Sequence, residues 1–120
     1  MEQVYWLVDD DKDDARRCAS VLSAKGLPVR EATPTPDISF LDRPLGDKHT
    51  VGFVVDYKLS LSDRKIRYDC PAVVAKIRSE KSSLPVVVLS GVIGHQHKAR
   101  ASYERTEHLY DWRLDKAEVA

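Results

Sequence analysis

"VGFVVD", residues 51–56, is an unbroken apolar run closed by an aspartate. A strand with one face in water alternates apolar and polar side chains; a strand covered on both faces need not, and such strands belong to parallel sheets flanked by helices. "LPVVVLSG" (84–91) carries the same signal, and "VYWLV" (4–8) is a third short, β-branched and aromatic run. Between these runs the period changes. In "DDARRCASVLSAKG" (13–26), Ala15, Cys18, Val21 or Leu22 and Lys25 recur at helical spacing ahead of a glycine stop. "CPAVVAKIRSEK" (70–81) reads as a helix with Asp69 as N-cap and Pro71 near its first turn.

Outward from this centre the pattern continues. "LPVREA" (27–32) reads as a second strand, and "TPTPDISFLDRP" (33–44) as a short helix fenced by prolines, with Asp37 or Thr35 as its cap. "GHQHKARASYERTE" (94–107) can form a helix and "HLYDWRLDK" (108–116) a last strand. The sum is five strands alternating with four helices, which implies parallel strands, right-handed crossovers and helices on both faces.

Composition sets the limits. The chain has 120 residues, 42% of them hydrophobic, enough for one core and too few for two ordinary domains. Nineteen basic and nineteen acidic residues cancel, so net charge draws it neither to nucleic acid nor to an anionic membrane. No apolar run is long enough to span a bilayer and no leader pattern is read at the start, so a cytoplasmic protein is expected. Cys18 and Cys70 fall in expected helices without CxxC spacing and read as buried free thiols.

In a parallel α/β sheet the working site lies beyond the carboxyl ends of the strands. Those ends hold Asp9 and Asp10 after the first strand, Asp56 after the third, Ser90 after the fourth and Lys116 after the fifth. Aspartates ahead of a helix also cap it and suit its positive end, and Asp11, Asp13 and Asp14 take that role here. Asp9, Asp10 and Asp56 are better explained as ligands of a cation, which relieves the repulsion among crowded carboxylates. His95 and His97 have no partners at ligand spacing and sit on a wet helix start. Trp6 and Trp112 read as core or partial-core residues.

Taken together and in this order, "LVDDD", "VVDYKLS", "LPVVVLSG" and "LDK" resemble the receiver domain of two-component response regulators, over nearly the whole chain. The resemblance implies a flavodoxin-like, doubly wound five-stranded parallel sheet in the order 2-1-3-4-5. It implies Asp56 as phosphoacceptor, Asp9 and Asp10 as the acid pair holding Mg²⁺ or Mn²⁺ with Asp56, and the backbone carbonyl of Lys58 as a further ligand. Ser90 matches the hydroxyl that bonds a phosphoryl oxygen, and Lys116 the lysine that pairs with the phosphoryl group. Such a domain is a signalling module, not an enzyme in the usual sense: Mg²⁺-dependent self-phosphorylation and slow autodephosphorylation are expected. Its partners would be a histidine kinase or phosphotransfer protein and an output domain or partner protein, with dimerisation open to it and no direct contact with nucleic acid or membrane.

The chain also departs from the receiver pattern. Ser60 stands at the usual proline position, and "SLSDRKIRYD" (60–69) is longer and more polar than the usual loop. Arg113 replaces the common switch aromatic, and Ala117 the proline that commonly follows the lysine, so no cis peptide is expected there. The chain stops at Ala120, before a fifth helix, which is therefore missing or supplied from outside; residues 1–120 are expected to be one receiver domain of a longer protein. The competing reading is a receiver-like interaction module that works without phosphorylation. An aspartyl phosphatase would want a second acid where Lys58 stands, and a flavin-binding relative would want a phosphate-cradling loop where the acids stand.

Overall fold

The computed structural model describes residues 3–56, 65–90 and 112–115, with Ser90 and residues 112–115 as strand backbone. Its elements follow in chain order: β1 (Val4–Val8), α1 (Lys12–Ala24), β2 (Val29–Ala32), a 3₁₀ turn (Ile38–Leu41) running into α2 (Asp42–Gly46), β3 (Thr50–Asp56), α3 (Cys70–Glu80), β4 (Val86–Ser90) and β5 (Trp112–Asp115). The strands form one sheet in the order β2-β1-β3-β4-β5, and every pairing is parallel. This is the doubly wound order expected of a flavodoxin-like fold. The helix expected over 94–107 lies outside the described residues, as do the flanks of the last strand.

The apolar runs of β3 and β4 are buried because both sheet faces are covered. Phe53, Val55, Val86 and Val88 point to one side, where Leu41 and Leu45 of the 3₁₀–α2 segment and Val73, Val74 and Ile77 of α3 complete a core. Val54 and Leu89 point to the other, against Ala15 and Cys18 of α1. Cys18 and Cys70 are buried and outside any disulfide, as the sequence implies.

Helix ends follow their side chains. Asp11 caps α1, its carboxylate accepting from the backbone N–H groups of Asp13 at 3.0 Å and Asp14 at 3.1 Å. At the other end Gly26 takes φ +91°, a left-handed conformation that favours glycine. Its N–H donates to the Ser23 carbonyl and that of Leu27 to the Leu22 carbonyl, which closes the helix with two reciprocal turns. Asp69 caps α3 and Pro71 stands in its first turn, where a missing N–H costs nothing.

Among the described residues, the expected helix over 33–44 is the element that differs. Asp37, not Thr35, is the cap, accepting from the Ser39 N–H at 2.9 Å, while the Thr35 hydroxyl donates to the Asp37 carbonyl at 2.6 Å. Only a 3₁₀ turn and a five-residue helix follow. Three prolines in twelve residues allow no longer run, and Pro44 is tolerated because it falls in the first turn of α2.

Candidate functional site

The site is built where β1 and β3, neighbours in the middle of the sheet, end. Val8 of β1 is level with Val55 of β3, so the residues that follow, Asp9 and Asp56, leave the sheet side by side. Asp9 then turns the chain: its Oδ1 accepts the Asp11 N–H at 3.0 Å. Asp11 in turn caps α1, and these two aspartate-to-backbone turns in series carry the chain from strand to helix in three residues.

Carboxylate oxygens of Asp9, Asp10 and Asp56 lie within 4.8 Å of one another. Asp9 is 3% exposed and Asp56 5%, with Asp10 half-buried at the rim. Three like charges this close, two of them removed from water, repel and lose hydration. Oxygen-only donors of high negative charge suit a hard divalent cation, and an open rim leaves room for the waters and substrate oxygens that Mg²⁺ retains. The residues present therefore fit the expected ion. The other acids of the "DDDKDD" stretch serve the helix: Asp11 as cap, Asp13 and Asp14 in its first turn.

Ser90 closes β4. Asp56 pairs with Leu89, so the Ser90 backbone stands one residue beyond the level of Asp56, beside Asp115 of β5. Lys58 and Lys116, like His95, His97, Ser60 and Ala117, lie outside the described residues.

Two neighbours of the site were not visible in the sequence. Cys70, the first residue of α3, is buried close enough to the acids that its thiol is pushed far above the ordinary range, first by burial and then by the charges of Asp69 and Asp56. Tyr68, two residues earlier, stacks on Phe40 with ring centroids 6.1 Å apart and donates its hydroxyl to the Thr35 carbonyl at 2.6 Å. No spacing rule links residues 28 and 33 positions apart, so neither contact had a local signal.

Solved structures share this architecture. The receiver domain of NtrX from Brucella abortus superposes with a TM-score of 0.71 at 21% identity, over 96% of this chain and 90% of that one. The chain has the receiver fold. A response regulator from Burkholderia pseudomallei, crystallised with a phosphorylated aspartic acid, a calcium ion and citrate, matches at 18% identity and a TM-score of 0.67, over 96% of this chain. The longer NtrX chain matches at 23% identity and a TM-score of 0.71, over 97% of this chain. This chain spans 60% of the Burkholderia protein and 23% of the longer NtrX. No family model and no curated protein sequence matches it. Among its structural neighbours the receiver fold is joined to further chain, as in the longer NtrX. Among the described residues, no helix is long and apolar enough to cross a membrane.

Proposed function

We propose that this chain is a phosphoacceptor receiver domain of a two-component pathway, a unit of a longer signalling protein. The observation that carries the reading is the meeting of Asp9, Asp10 and Asp56 carboxylates within 4.8 Å at the carboxyl ends of adjacent central strands. In this reading a carboxylate oxygen of Asp56 attacks the phosphorus of a phosphohistidine or small phosphodonor. The bond from phosphorus to the donor breaks, the donor leaves with the electron pair, and an acyl phosphate remains on Asp56. Hydrolysis reverses the step when water attacks the same phosphorus and the carboxylate departs.

Asp9, Asp10 and Asp56, with the Lys58 carbonyl, would hold Mg²⁺, or Mn²⁺ in its place. Bound there, the ion would offset the acids' repulsion and the charge on the transferring oxygens. Ser90 is assigned to bond a phosphoryl oxygen, and Lys116 to pair with the phosphoryl group. The donor partner would be a histidine kinase or a phosphotransfer protein, and the recipient of the signal an output domain or a separate protein in the cytoplasm.

The test is intact-mass spectrometry after incubation with acetyl phosphate or phosphoramidate, with and without Mg²⁺, on the wild type and Asp56→Ala. The expected result is a Mg²⁺-dependent gain of one phosphoryl group that the variant lacks. A folded wild type that gains none would overturn the proposal in favour of the phosphorylation-independent interaction module.

A further inference from the structure

The segment that leads into α3 is fastened to the loop after β2. Ile66 is 1% exposed and belongs to the core that also holds Phe53, Val55 and Cys70. Tyr68 reaches across to the loop after β2, stacking on Phe40 and donating to the Thr35 carbonyl. That loop is itself tied: Thr35 bonds the Asp37 carbonyl, Asp37 caps the 3₁₀ turn, and Phe40 packs on the core. Asp69 follows Tyr68 and caps α3, whose first residue, Cys70, lies in the field of Asp56. A chain of fixed contacts thus runs from Thr35 and Phe40 through Tyr68 and Asp69 to the side of the acid cluster.

We propose that Tyr68 is a positioning residue for the Asp56 site, its clasp on Thr35 and Phe40 holding the start of α3 against the reacting carboxylate. The proposal rests on the phosphoacceptor reading above. Transfer to a carboxylate depends on in-line placement, and a misplacement of about 1 Å can cost on the order of a hundredfold in rate. The clasp has two separable parts. The hydroxyl's bond to Thr35 fixes direction, and the ring stack on Phe40 fixes depth. Substitutions there act on the site by letting the α3 start move.

The experiment measures the rate of acyl-phosphate formation on Asp56 at saturating Mg²⁺ with acetyl phosphate, alongside thermal unfolding, for wild type, Tyr68→Phe and Phe40→Leu. Tyr68→Phe keeps the ring and loses one largely exposed hydrogen bond, so its unfolding midpoint should stay within a few degrees of wild type. Its rate should nevertheless fall by roughly three- to tenfold, the worth of one hydrogen bond, and Phe40→Leu should slow the same step. Equal rates for wild type and Tyr68→Phe would overturn the positioning role while leaving the phosphoacceptor reading intact. A rate loss in Phe40→Leu alone, matched by a fall in its unfolding midpoint, would also overturn it, since the clasp would then be packing and nothing more. A wild type that takes no phosphoryl group would instead remove the reading on which the proposal stands.

Discussion

The Trp6 indole N–H donates to the Thr50 hydroxyl at 2.7 Å, and that hydroxyl donates onward to the Pro44 carbonyl at 2.6 Å. One buried threonine on β3 thereby joins β1 to α2, giving the Trp6 N–H its acceptor and the Pro44 carbonyl a second donor beside the Asp47 N–H. Thr50→Val keeps the shape and removes both bonds. It should cost about 1 kcal/mol, chiefly because the half-buried Trp6 N–H loses its partner, while the Pro44 carbonyl keeps the Asp47 N–H at 3.3 Å. Urea unfolding should show a lower midpoint with an unchanged slope.

Asp11→Ala removes the α1 cap and should destabilise by about 1 kcal/mol. Asp11→Ser, which can accept from the same N–H groups, should recover most of that loss. Thermal unfolding of the two variants side by side is the check; equal losses would mean that the charge, not the cap, matters.

Gly52 leaves room for the Tyr5 ring. A Cβ there would stand 2.4 and 2.7 Å from two ring carbons and 3.0 Å from the Pro85 carbonyl oxygen. Gly52→Ala should therefore cost roughly 1–3 kcal/mol, as overpacking does. Combined with Tyr5→Ala, Gly52→Ala should cost less than it does alone, because the ring is gone and only the Pro85 carbonyl oxygen still crowds the Cβ. A double-mutant cycle in denaturant reads the coupling.

The Cys70 thiol has its pKa raised in the fold, by burial first and by the Asp69 and Asp56 charges after it. A raised value means that the unfolded chain loses its proton first, so the contribution to stability is full below the unfolded thiol's pKa of about 8.5 and drains away as pH rises beyond it. Unfolding free energy should decline from about pH 8.5 upward, and Cys70→Ala should flatten that decline. Native protein at pH 8 should resist thiol alkylation at Cys70 until urea is added.

Divalent cations should raise stability through the acid cluster. Mg²⁺ at a hundred times its dissociation constant should add about 2.7 kcal/mol to the wild type, and much less to Asp10→Asn. In chelator-treated protein the order should reverse, Asp10→Asn being the more stable, since it removes one of three mutually repelling carboxylates. Paired melts with and without Mg²⁺ distinguish this from a simple loss of folding.

The sheet was legible in the sequence because its central strands carry it twice over. "VGFVVD" and "PVVVLS" are apolar at successive positions, which only a strand buried on both faces requires, and each ends on the polar residue that marks the sheet's edge. The acids of the site were legible for the same reason, since a strand end and a helix start fix where an aspartate must sit. Within "DDDKDD" the division between site and cap also followed from position: Asp9 and Asp10 precede the turn, and Asp11 begins the helix. The segment over 33–44 was less legible, because proline spacing marks where a helix cannot run without saying how short the remainder will be. Thr50 as the partner of Trp6, and Thr35 as that of Tyr68, had no local mark at all. Such pairings are set by how layers stack, and periodicity along the chain does not encode them.

The two cores of the sheet are unequal among the described residues: thirteen buried side chains on the α2–α3 side, five on the α1 side. Local opening draws on the least buried region first, so amide hydrogens of α1 should exchange ahead of those of β3, which both cores share. This gives the ends of α1 a weight they would not have elsewhere. The helix is held at its two ends by Asp11 at its start and Gly26 at its close. The same turn that caps it also orients Asp9, so fraying at the helix start and loosening of the acid cluster are one event.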